Sequence, residues 1–295
     1  TINLDGGEGQ DYIYAYSYID TEGNRVHLSD GKAILKGGEG QDKIYSYQYD
    51  SVEIEGGSGR NWLNAYGDRN KEAIIKGGGE IDYIEVSQYL ETKLEGGEGD
   101  DQIRDYQNGY ASLIGGLGED NIYSNSHSNL IEGGEGADTL ESYINPENFS
   151  YLFNSEFQGE DLNHILKGGD GNDSITVNGG YTYHRGNYGR AEVEAYGGEG
   201  ADTIKVIDNR AGVINQSGKV FGISKVQVDG GVGKDEITVA GALDVSITTG
   251  ADSDTIILTS QHYRTIQEGA RIGNRIEGSI SWDDWYRERN ESGNY

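Results

Sequence analysis

The 295-residue chain has no cysteine, no methionine, a single proline at Pro146 and only four phenylalanines. Without cysteine there is no disulfide framework and no thiolate zinc site, and no pair of its five histidines has metal-ligand spacing. Something other than cross-links must reinforce the fold. No stretch reaches the roughly 18 consecutive apolar residues that a membrane-spanning helix needs, and the sequence from Thr1 onward does not read as a signal peptide. The missing methionine implies a segment processed or excised from a longer chain. Positive charge is also scarce: 23 Lys and Arg stand against 51 acids, a net charge of −28. Such a surface disfavours nucleic acid and anionic membranes as partners, and its self-repulsion opposes compaction. With 34% hydrophobic residues the chain cannot fill a thick globular core. Stacked repeats, which bury each face on a neighbour, need less.

Glycine is what the chain has in excess, with 48 residues, and most of it is ordered into loops. Eleven times a glycine-rich loop ends in a carboxylate, or once its amide, followed two residues on by an aliphatic. Clear copies are Gly6-Gly7-Glu8-Gly9-Gln10-Asp11-Tyr12-Ile13, Gly168-Gly169-Asp170-Gly171-Asn172-Asp173-Ser174-Ile175 and Gly197-Gly198-Glu199-Gly200-Ala201-Asp202-Thr203-Ile204. Glycine lets the backbone enter positive φ and turn carbonyls to one side, and the terminal Asp adds a hard anionic oxygen. That is the ligand chemistry of Ca²⁺.

The loops begin at residues 6, 37, 56, 77, 96, 115, 133, 168, 197, 230 and 249, so the shortest steps cluster at 18 to 21 residues. Two residues beyond each loop stands Ile13, Ile44, Leu63, Ile84, Ile103, Ile122, Leu140, Ile175, Ile204, Ile237 or Ile256. Two before it stands Leu4, Leu35, Ile54, Ile75, Leu94, Leu113, Ile131, Leu166, Ala195, Val228 or Ile247. Strand side chains alternate faces, so these two aliphatic columns predict ladders filling a narrow interior between stacked coils. The next inward position is small or β-branched, as at Ala15, Ser46, Ala65, Ser124, Val177, Val206 and Val239; Asp105 breaks that rule.

The loop pattern resembles the G-G-x-G-x-D-x-U-x nonapeptide of the RTX, or haemolysin-type, calcium-binding repeats of secreted bacterial proteins. The period near 19, with one loop per coil, is similar to the one-sided calcium-dependent β-solenoids of very large bacterial surface adhesins. The resemblance implies an all-β parallel β-solenoid of about 11 coils with one calcium-lined edge, up to about ten Ca²⁺ ions, folding coupled to metal, extracellular location and type I secretion. Carried over residue by residue, it implies metal ligands at Asp11, Asp42, Asn61, Asp82, Asp101, Asp120, Asp138, Asp173, Asp202, Asp235, Asp252 and Asp254. The third loop departs from the pattern, with Arg60-Asn61 where x-Asp is expected.

The repeats predict one solenoid over 1–258, closed by a segment over 259–295 that loses the loops and carries five Arg with Trp282, Trp285 and Tyr286. Four long steps predict insertions near 18–32, 144–163, 178–190 and 208–224, on the edge away from the loops. The third, with Tyr181, Tyr183, His184 and Arg185, is where catalysis by a polysaccharide-active enzyme would sit, but the acidic chain offers no basic groove for an acidic substrate. Ten residues after the loop starts come Tyr16, Tyr47, Tyr66, Ser87, Tyr106, Asn125 and Tyr143. Such a Tyr column is either a stacked ladder that stabilises the coils or a platform for a ligand. The expected function is a non-enzymatic structural or adhesive module, the alternatives being a carbohydrate-binding or carbohydrate-modifying solenoid and a self-assembling surface-layer or filament subunit. Expected partners are calcium ions, with glycans, surface proteins or further copies of the chain as candidates.

Overall fold

The computed structural model describes residues 1–16, 31–144, 162–179, 191–208, 223–242, 244–258, 265–267 and 275–278. Every described strand runs parallel to its neighbours. Each coil, numbered here by its glycine-rich loop, consists of a leading strand that runs into the loop and a trailing strand that leaves it. Leading strands Ile2–Glu8, Lys32–Glu39 and Ser51–Ser58 pair in register, and trailing strands Tyr12–Tyr16 and Lys43–Tyr47 do the same on the other face. In coils 3 and 4 the trailing strand continues round the second turn into the next leading strand, giving long strands Trp62–Gly78 and Tyr83–Glu98. The fold is an all-β parallel β-solenoid.

The two predicted columns form the core. From coil 2 onward Leu35, Ile75, Leu113 and Leu166 on the leading side, and Ile44, Ile84, Ile122 and Ile175 on the trailing side, are fully buried. Leu4 in coil 1 stays 40% exposed, because that coil has a neighbour on one side only. Each buried aliphatic contributes roughly 1.5–3 kcal/mol, so a thin interior is sufficient when it repeats in every coil.

Glycine is required where the loops stack. Gly38 has φ +110°, and a Cβ there would run into the Gly7 carbonyl of the coil before it. Backbone groups thus lie one above another along the loop edge, close enough to hydrogen-bond: Gly9 N donates to Glu39 O at 2.7 Å and Lys43 N to Asp11 O at 2.8 Å.

Two short strands, Thr265–Gln267 and Arg275–Gly278, pair in parallel with Asp244–Thr248 and Thr255–Leu258, so the sheet runs past residue 258. The four predicted insertions fall mostly in 17–30, 145–161, 180–190 and 209–222, outside the described residues. So do His27, His184 and His262.

The second turn and the mid-solenoid interior were not anticipated. Tyr89 is completely buried inside the second turn, where its backbone N–H donates to Asn108 Oδ1 at 2.6 Å. Asp105, the exception in its column, is buried beneath four donors: Thr92 Oγ1 and Ser124 Oγ at 2.9 Å each, with Asn108 Nδ2 and Ser126 Oγ. Further along, Asn129 Nδ2 donates to Ser142 Oγ at 2.8 Å, and Ser142 Oγ lies 2.9 Å from His164 Nδ1. Coils 5 to 8 therefore carry a polar strip inside an otherwise aliphatic core.

Candidate metal centres along the loop edge

The last residue of each loop is placed by two constraints. Its φ/ψ are set by the glycine turn before it, and the aliphatic two residues later is pinned in the core. Its side chain is thereby folded back over the first glycine of its own loop. A Cβ on Gly37 would collide with Asp42 Oδ2 and with the Gly56 carbonyl oxygen of the next coil, and the same pair of oxygens bounds the space at Gly96, Gly115, Gly133 and Gly168. A carboxylate oxygen and a carbonyl oxygen from successive coils thus face one small space, which only glycine leaves open.

The carboxylates are linked by a rail of hydrogen bonds. The backbone N–H of each loop Asp donates to Oδ1 of the corresponding residue one coil on: Asp11 to Asp42 at 2.9 Å, Asp42 to Asn61 at 3.0 Å, Asn61 to Asp82, Asp82 to Asp101, Asp101 to Asp120 and Asp120 to Asp138 at 2.7 Å. It continues from Asp138 to Asp173 and Asp173 to Asp202 at 2.8 Å, then to Asp235 at 2.9 Å and Asp254 at 3.0 Å.

From Asp42 onward Oδ1 is satisfied in this way; Oδ2 is not. At Asp11, Asp42, Asp82, Asp101, Asp120, Asp138, Asp173, Asp202 and Asp235 that oxygen is buried and has no hydrogen-bond partner. A buried anionic oxygen without a donor is costly. Burial, with like-charged neighbours adding to it, pushes the carboxyls up: Asp101 to about 8, Asp82 to about 7, and Asp120, Asp138, Asp173, Asp202 and Asp235 to about 6. The hydrogen bond from the preceding coil pulls each of them the other way, and burial prevails. A row of nine orphaned oxygens beside backbone carbonyls fits a hard cation with oxygen ligands, as Ca²⁺ is. Among the described residues no three His, Asp or Glu side chains converge on one point. A centre here therefore takes one or two carboxylates and completes its shell from the backbone.

Ten of the residues expected as ligands, plus Asn61, lie on this one edge. Asp252 does not join them: it is exposed, at φ +77°, whereas Asp254 is buried and takes the N–H of Asp235. The Tyr column lies on the outer face of the trailing strands. Tyr16, Tyr47 and Tyr66 stack face to face, with centroids 4.7 and 5.3 Å apart, and the stack stops at Ser87. Tyr106 instead leans on Tyr123 at 47°, and Tyr143 stands half-buried on its strand. Two parallel columns flank it. Tyr14 stacks on Tyr45 at 4.9 Å, and Lys43 Nζ sits between the rings of Tyr12 and Trp62, which in turn stacks on Tyr83. The column of Tyr12, Lys43, Trp62 and Tyr83 was missed in the sequence, and aligning the repeats one residue past the loop Asp would have revealed it.

No curated protein matches the chain. The family model of the RTX calcium-binding nonapeptide repeat matches in four copies, over residues 112–140 and 159–181, which take in the loops ending at Asp120, Asp138 and Asp173. Within those stretches the parallel solenoid carries RTX calcium-binding nonapeptide repeats.

Proposed function

We propose that the chain is a calcium-dependent structural or adhesive module of a secreted or surface-exposed bacterial protein, in which a file of Ca²⁺ ions along the loop edge makes the solenoid rigid. The observation that carries this reading is the row of buried, partnerless Oδ2 atoms. Nine of them at one edge of a chain with net charge −28 require a cation for folding to be favourable. Asp11, Asp42, Asp82, Asp101, Asp120, Asp138, Asp173, Asp202, Asp235 and Asp254 are the proposed carboxylate ligands, for up to about ten ions in a file along the inter-coil junctions. The division into a solenoid over 1–258 and a closing segment over 259–295 belongs to the same proposal. Within that segment two short strands continue both faces of the sheet in parallel.

The module is read as non-catalytic, because its carboxylates are spent on a structural rail. Counting bound calcium in the purified protein by elemental analysis, with and without prior chelation, tests the metal assignment: several ions per chain are expected, and none would refute it.

A second reading, a glycan- or protein-binding face, is favoured by the exposure of Tyr12, Tyr14 and Tyr16 at the first coil. It ranks below the first because the stacked rings cover one another's faces, leaving mainly edges and hydroxyls to meet a ligand.

A further inference from the structure

The third loop does not follow its neighbours. Asn61 is fully buried at the position of the loop Asp, and its backbone N–H and Oδ1 keep their places in the rail, at 2.7 Å to Asp82 and 3.0 Å from Asp42. The difference lies in the other side-chain atom. Where sister loops have an anionic oxygen with no donor, Asn61 has Nδ2, which donates to the Gly59 carbonyl at 2.8 Å. That nitrogen sits over the first glycine of its loop, 2.7 Å from where a Gly56 Cβ would be, in the place Oδ2 takes elsewhere.

We propose that the Asn61 side-chain amide stands in for a cation, so that the junction at the third loop closes without calcium and forms a metal-independent point in the file. The inference rests on the calcium reading of the other loops. A carboxylate at this position shares space with the next coil's carbonyl only when a cation or a proton lies between them, whereas the amide turns a donor towards the Gly77 carbonyl and ties itself to the Gly59 carbonyl of its own loop. Being neutral, it also needs no counter-charge when buried. Metal-free ties also join coil 3 and its neighbours. Tyr47 stacks on Tyr66, Trp62 stacks on Tyr83, Lys36 pairs with Glu55 and Lys76 pairs with Glu95.

The test counts calcium on the full chain by native mass spectrometry for wild type, Asn61→Asp, Asn61→Ala and, as control, Asp120→Ala. Asn61→Asp is expected to bind at least one more ion than wild type and Asp120→Ala at least one fewer. Asn61→Ala is expected to keep the wild-type count while needing more calcium for half-folding, because the amide's bond to Gly59 is gone. Wild type that binds no calcium defeats the functional reading itself. Wild type that binds calcium, with Asn61→Asp adding none or Asn61→Ala losing an ion, overturns the amide's role alone. If Asn61→Asp fails to fold, the Asn61→Ala count decides.

Discussion

Asp101 donates its backbone N–H to Asp120 Oδ1 at 2.7 Å, while Asp120 Oδ2, buried in the same loop, meets no donor. One oxygen of each carboxylate therefore ties coil to coil, and the other is left for a cation.

Removal of calcium should unfold the chain. In excess chelator near neutral pH, the far-ultraviolet circular dichroism spectrum is expected to lose its β signal and to regain it on adding millimolar Ca²⁺, because the loop carboxylates repel one another without metal. A spectrum indifferent to chelator contradicts this.

Asp120→Ala should weaken the calcium-loaded fold more than Asn61→Ala. Each change removes one rail acceptor, that of the Asp101 N–H or of the Asp42 N–H. Beyond that, Asp120→Ala loses an ion, about 2.7 kcal/mol for a site held at a hundred times its dissociation constant, whereas Asn61→Ala loses only the amide's bond to Gly59, about 1 kcal/mol. Urea midpoints in saturating calcium compare the two, and equal midpoints would refute the difference.

Asp105→Ala should be among the most damaging single changes in the interior. It leaves Thr92, Asn108, Ser124 and Ser126 without their common acceptor, at about 1–3 kcal/mol for each buried group left unsatisfied. Denaturant unfolding in saturating calcium is expected to show a loss of about 3 kcal/mol or more.

His164 should make the fold acid-sensitive. Burial, with the adjacent His127 adding to it, lowers His164 from its usual 6.5 to about 3, in surroundings supplied by Ser142 and Asn129. Between those values the unfolded chain holds a proton that the folded chain refuses. The stability contributed by a neutral His164 is thus complete above pH 6.5 and drains away as pH falls towards 3. Because the loop carboxylates also titrate, the readout is the difference between wild type and His164→Val, whose stability should fall less steeply with acid from pH 7 to 4. Parallel pH curves would refute it.

Replacing Tyr47, Tyr66 and Tyr106 together with Ser should lower the melting temperature while leaving any polysaccharide or cell-surface binding unchanged, since two of the three rings are engaged with other rings of the ladder. Abolished binding with an unaltered melting temperature is the opposite outcome and would favour the ligand platform.

Much of this architecture is legible in the chain because the repeat is local. Gly6 to Asp11, Ile13 and Leu4 recur in fixed order, and period-two alternation next to a glycine turn leaves a strand few ways to point. The solenoid, the loop edge and the loop carboxylates followed from that order alone. Asp252 shows the limit of such reading, since a worn copy with two carboxylates does not reveal which is buried until Asp254 Oδ1 takes the N–H of Asp235. The polar strip around Asp105 and His164 was equally hidden. Its bonded partners lie up to 22 residues apart, and they meet only because parallel stacking brings one coil's side chains over the next. Periodicity along the sequence thus determined the fold, the loop edge and the position of each loop carboxylate. Which oxygen of each carboxylate is spent on the rail, which is left bare, and where Asn61 closes its loop by itself were decided by the stacking of coils, because those contacts run between coils rather than along the chain.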